Sequence, residues 1–193
     1  MSKAAVTKPA VLVPPGFQVR RATPVGRHPI LSVFPGLDAM ETAARQEPDG
    51  TARARLHQET LIEIVASDVW MYVAPWNVPR GARGRWRPVT TPGADTIVVG
   101  RSHLKESSEL ILFLDIFHEL CHVRQRHAGR ELFPEGVSYV RRSTEVEAYR
   151  FVVAEARRLG VPDDELREYL TVEWIDHSEL LELLDAVGVS HPE

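Results

Sequence analysis

The sequence predicts an α+β domain in which a small antiparallel sheet packs on one buried helix and the C-terminal half is helical. Three observations lead there. Of the 14 prolines, all but Pro134, Pro162 and Pro192 lie at or before Pro92, which forbids long helices in the first half. Short β-branched and aromatic runs occur between residues 70 and 100. Beyond them, apolar residues recur at helical spacing, with Gly129, Gly160 and Pro162 as stops. With 193 residues and 44% hydrophobic side chains, the chain has the size of a single core.

Residues 1–36 carry Pro9, Pro14, Pro15, Pro24, Pro29 and Pro35 without periodicity and read as an extended N-terminal arm, leaving 37–193 as the domain. A short helix is expected near 37–46. Thr51 is placed to cap a second one running to about Ser67, because Leu61, Ile64 and Val65 share one helical face. Trp70-Met-Tyr-Val-Ala, Arg85-Trp-Arg and Thr96-Ile-Val-Val-Gly read as strands of a small antiparallel meander, the last two joined by a Thr-Thr-Pro-Gly-Ala-Asp turn. A helix then starts at Glu106 or Ser107 and ends at Gly129, apolar over most of its circumference and therefore buried on nearly all sides. Further helices are expected over 144–159, from Asp163 or Asp164, and from Ser178 to Val187.

Composition excludes several classes. With 23 Lys and Arg against 27 Asp and Glu, the net charge of -4 does not suit a general polyanion binder. The charge is polarised, however: residues 1–144 hold 19 basic and 14 acidic side chains, and residues 145–193 hold 4 and 13. A single cysteine, Cys121, rules out an internal disulfide and any all-cysteine zinc module. No run approaches the roughly 20 apolar residues that cross a bilayer, and prolines interrupt the only apolar stretch near the start. A soluble cytoplasmic protein without membrane contact is the expectation.

Inside the buried helix stands His118-Glu119-Leu120-Cys121-His122, the pattern HExxH. Four residues along an α-helix turn through about 400°, so both imidazoles leave the same face, close enough to share one ion. Glu119 lies about 100° further round, beside the ion rather than on it, where a carboxylate can take a proton from water. Burying two imidazoles and a carboxylate in an apolar run costs several kcal/mol unless they are paired, so the cluster needs a partner. A catalytic zinc site adds a third protein ligand. His127 is five residues past His122, off the ligand face, and reads as a helix-end residue favoured by the dipole. In the next helix, Thr144 and Glu147 have the spacing of a capping box, which leaves Glu145 as the leading third ligand. Glu147 and, in the intervening loop, Glu135 are the alternatives. Cys121 is expected to face the core as a small hydrophobe.

A strand such as Thr96–Gly100, a helix carrying HExxH and a second helix opening Glu145-Val-Glu-Ala148-Tyr-Arg-Phe151 together resemble the gluzincin metallopeptidases of the ImmA/IrrE type. The similarity spans about residues 60–155. It implies a zincin-like fold, Zn2+ held by His118, His122 and Glu145, Glu119 as general base, and hydrolysis of peptide bonds in a peptide or protein substrate. An oxyanion donor is then required, and Tyr139, Tyr149, Tyr169 and His177 are the candidates. The edge of the Thr96–Gly100 strand is expected to bind peptide by strand addition. Two other functions remain open. The chain could be a non-catalytic regulatory or binding module with a structural metal. Alternatively, Arg80-Gly-Ala-Arg-Gly-Arg-Trp-Arg87 could contact nucleic-acid phosphates and stack on a base, although a solvated hairpin loop is the plainer reading of that segment.

Overall fold

The computed structural model describes residues 17, 19, 21–22, 24–29, 60–66, 70–73 and 96–190. Within the predicted arm, Gly26–Pro29 forms strand β1. Strands β2 (Leu61–Val65), β3 (Met71–Val73) and β4 (Thr96–Gly100) complete a four-stranded sheet of order β1-β2-β4-β3. The expected helix near 37–46, the strand at Arg85–Arg87 and the Arg80–Arg87 loop lie outside the described residues.

Two sequence expectations are corrected in this sheet. Leu61–Val65 is a strand, not the end of a helix. The run is almost wholly apolar and so satisfies helical spacing by default, but its working period is two: Ile62 and Ile64 are fully buried while Glu63 between them is half-buried. The sheet is also mixed rather than antiparallel, because β2 runs parallel to β4, whereas β1–β2 and β3–β4 are antiparallel. All five residues of β4 are buried, as befits a central strand covered on both faces.

The C-terminal half follows the predicted pattern closely. A short helix α1 (Arg101–Glu106) leads into α2 (Glu109–His127), whose N-terminus Ser108 caps by accepting from the Ile111 amide. At its other end, Gly129 takes a left-handed φ of 75° and Arg130 N–H closes on the Gln125 carbonyl, a geometry that strains any residue with a Cβ. After a 3-10 turn at Tyr139–Arg141 come α3 (Ser143–Arg158), α4 (Asp163–Leu170) and α5 (His177–Val187). Helix α5 opens with a capping box formed by Asp176 and Glu179.

The core joins both halves. Phe113, Leu112, Leu114 and Ile116 of α2 are buried against Ile62, Ile64, Ile97 and Val99 of the sheet, and against Val152 and Val153 of α3. Phe17 packs its ring edge-on to Phe113 at 5.2 Å, which ties the start of the described chain to the central helix. Helix α2 is thereby clamped between β3 and α3, and its polar cluster of His118, Glu119 and His122 is turned to these two elements.

Candidate metal centre

His118 and His122 leave α2 on one face, with their Nε2 atoms 2.9 Å apart. Helix α3 brings Glu145 to them, its Oε2 lying 3.2 Å from each Nε2. All three residues are buried, and one ligand atom from each lies within 4.8 Å of the others, so the group could hold a metal ion. The histidine spacing sets the first two positions; the third depends on the crossing of α2 and α3.

Glu147, the alternative third ligand, is turned away. Its carboxylate pairs with Arg124 at 2.8 Å and with Arg130, and accepts from Gln125 Nε2 at 3.1 Å. The expected capping box is absent, because α3 begins earlier. Arg142 is its N-cap, Thr144 lies inside the first turn, and the Thr144 hydroxyl donates to the Leu132 carbonyl at 3.4 Å. Two residues of helix separate Glu145 from Glu147 by about 200°, so only one can face α2's histidines. Glu135 is exposed in the loop, and His127 is exposed at the end of α2. Replacing Glu147 by Ala is expected to cost about 1 kcal/mol or less by chemical denaturation, and to leave metal binding by isothermal titration unchanged. A lost metal site in that variant would transfer the ligand role to Glu147.

A chain of hydrogen bonds holds the proton on His122 Nδ1 in place. Gln125 Nε2 donates to the Thr144 carbonyl at 2.9 Å and to Glu147, two groups that only accept, so its amide oxygen must face His122. That oxygen meets His122 Nδ1 at 2.8 Å and obliges it to carry the proton. The Nε2 side, turned to His118 and Glu145, is the one left for a metal: protonated, it donates to Glu145, and once that proton is released its lone pair has the direction a metal ligand requires. Gln125 is a supporting residue that sequence reasoning missed; its spacing of three from His122 was the available signal.

The electrostatics follow from burial and mutual contact. Burial alone would raise the Glu145 carboxyl, but hydrogen bonds from His118 and His122 hold it well below the usual carboxylate range. Burial lowers His118. It acts in the same direction on His122, yet the bonds to Glu145 and the nearby Glu119 charge carry that imidazole up to about 9. Glu119 is buried beside the pair, with the Val73 amide of β3 donating to its carboxylate, and desolvation pushes it up to about 8. His118 Nδ1 is buried without a hydrogen-bond partner among the described residues.

Glu119 and His118 face a narrow pocket of about 60 Å³, framed by Trp70, Tyr139, Tyr149, Tyr169 and Trp174. Three of the four sequence candidates for an oxyanion donor therefore converge here; His177 is instead exposed, as the first residue of α5. The Tyr139 and Tyr149 hydroxyls meet at 2.8 Å, and Tyr169 donates to Asp115 Oδ1 at 3.0 Å. Asp115 also binds His103 Nε2 at 2.7 Å, and Ser107 Oγ meets His103 Nδ1 at 2.9 Å. Asp115 lies three residues before His118, on nearly the same helical face, and sequence reasoning did not single it out. Cys121 is buried, as its helical position predicts.

Strand β4 offers no free edge for a peptide, contrary to the sequence expectation, because β2 and β3 pair with it on either side. Among the described residues the outer strand nearest the pocket is β3, whose Met71 lines it. No helix among the described residues is long and apolar enough to cross a membrane. Neither protein-family models, curated proteins nor solved structures yield a match to the chain.

Proposed function

We propose that the protein is a zinc-dependent metallopeptidase of the gluzincin type. The observation that carries this reading is the convergence of His118, His122 and Glu145 at 2.9–3.2 Å, with Glu119 buried next to them. Zinc bound tetrahedrally at about 2.0–2.1 Å separates its ligand atoms by about 3.3 Å, close to the spacing already present. Two imidazoles and one carboxylate suit zinc, and leave a position open for water or a substrate carbonyl. A purely structural site would be closed by a fourth protein ligand, and the described residues form no such fourth member of the group.

Zinc, when bound, supplies Lewis acidity toward water and a carbonyl. Glu119 takes the proton of the attacking water and returns it to the departing amine, while the Val73 amide keeps its carboxylate oriented. Within the Tyr139–Tyr149 pair, one hydroxyl donates to the other, which leaves one O–H to stabilise the developing oxyanion. The Tyr169 proton is engaged by Asp115, so Tyr169 shapes the pocket instead. Among the described residues β3 is the outer strand on the pocket side, where an extended peptide would add as a further strand and pass its backbone over Glu119.

The test is a mixture of unstructured peptides incubated with the zinc-reconstituted chain and followed by mass spectrometry. Cleavage that stops on chelation and resumes on adding zinc is the expected result. A zinc-loaded chain that cleaves no peptide would reject the peptidase reading and favour a structural metal.

A further inference from the structure

We propose that Ser107, His103 and Asp115 form a second reactive site, a nucleophilic serine triad that hydrolyses an acyl ester without the metal. The site is independent of the metallopeptidase reading. Its side chains make one series of hydrogen bonds: Ser107 Oγ meets His103 Nδ1 at 2.9 Å, and His103 Nε2 meets Asp115 Oδ2 at 2.7 Å. All three line a cleft of about 500 Å³. A hydroxyl within reach of a base that is itself oriented by a third group is the arrangement that activates a nucleophile. The two ring nitrogens stand in the reverse of the usual serine-hydrolase order. The chemistry tolerates this, because it needs only one nitrogen to accept while the other donates.

The surroundings hold each partner to that role. In the neutral ring, a carboxylate at Nε2 can only accept, so Nε2 carries the proton and Nδ1 is left to accept from the Ser107 hydroxyl. Asp115 is fixed through its other oxygen, which accepts from Tyr169 at 3.0 Å, and the His103 ring by stacking on Trp70 at 5.7 Å and 8°. Closing α1 does not require the serine side chain, because the Ser107 amide already donates to the His103 carbonyl at 3.1 Å. Helix α2 begins directly beyond, with Ser108 as its N-cap, and the first-turn amides of Glu109 and Leu110 have no helical carbonyl to donate to. Ser108 and Leu110 line the cleft, so the positive end of a 19-residue helix adjoins Ser107 and favours an oxyanion there. Ile111, Leu114, Val161 and Leu166 give the cleft apolar lining, which suits the acyl group of an uncharged ester.

The reaction balances with water as the only co-reactant. As Ser107 Oγ bonds to the acyl carbon, its proton moves to His103 Nδ1, and Asp115 stabilises the imidazolium. The ester C–O bond breaks and the alcohol leaves with that proton. Water then attacks the acyl-serine carbon and gives a proton to Nδ1. The C–Oγ bond breaks, the carboxylic acid departs, and Oγ recovers the proton.

The test treats the full zinc-loaded chain with an alkyl fluorophosphonate, which phosphonylates activated serines with loss of fluoride, and locates the adduct by peptide mass spectrometry. Labelling at Ser107 is expected, at least about 100-fold faster than in His103→Gln or Asp115→Asn. Hydrolysis of p-nitrophenyl butyrate should fall by at least about 100-fold in Ser107→Ala. That variant removes one partly exposed hydroxyl, and its melting temperature and zinc content should match those of the wild type. An unlabelled Ser107, equal labelling rates in His103→Gln and Asp115→Asn, or ester hydrolysis that survives Ser107→Ala would overturn the triad. Water on a metal cannot leave a phosphonyl mass on Ser107. Triad-dependent labelling without any peptide cleavage therefore keeps the triad and rejects the peptidase, and cleavage without labelling does the reverse.

Discussion

A Glu119→Gln protein is expected to lose peptide hydrolysis by about 10²–10⁴-fold while retaining its metal. The amide has the shape of the carboxyl and still offers an oxygen to the Val73 N–H, so the packing between α2 and β3 survives. What it lacks is the capacity to accept a proton from water. Initial rates on a cleavable peptide, measured alongside metal content, check this. Unchanged hydrolysis would remove Glu119 from the chemistry, and loss of metal as well would show that the side chain serves the site's architecture.

The second large effect is expected of Glu145→Ala. Its carboxylate is buried between two Nε2 atoms and is the only contribution of α3 to the group. Losing a partner that merely orients a ligand costs roughly 10–100-fold in metal affinity, and losing the ligand itself should exceed that. Stability provides an independent readout. Metal that binds only the folded chain stabilises it by about 2.7 kcal/mol at a free concentration of 100 Kd. Zinc should therefore raise the melting temperature of the wild type and leave that of Glu145→Ala nearly unchanged. An equal rise in both would place the third ligand elsewhere.

Much of this centre was legible in the residues because its densest part is local. His118, Glu119 and His122 lie within five residues of one helix, where backbone geometry alone sets their directions. Choosing between Glu145 and Glu147 required knowing where α3 begins. The capping-box spacing favoured Glu145, but the structure gives a different reason, the ion pairs of Glu147 with Arg124 and Arg130. The main misreading, at Leu61–Val65, has a related origin: a short and nearly all-apolar run fits either period, and the parallel pairing with β4 decides it through distant contacts. The edge strand was misassigned for the same reason, since strand order is not encoded in the spacing of the strands. Convergence of Trp70, Tyr139, Tyr149, Tyr169 and Asp115 on the pocket is also long-range, joining residues about 100 apart that carry no shared motif.

The most direct measurement is the metal content of the purified full chain after reconstitution with zinc and exhaustive dialysis, determined by mass spectrometry of the elements. The account predicts about one equivalent of zinc per chain in the wild type, Glu119→Gln and Glu147→Ala, and its loss in Glu145→Ala. A wild-type chain that retains no zinc after reconstitution would contradict it.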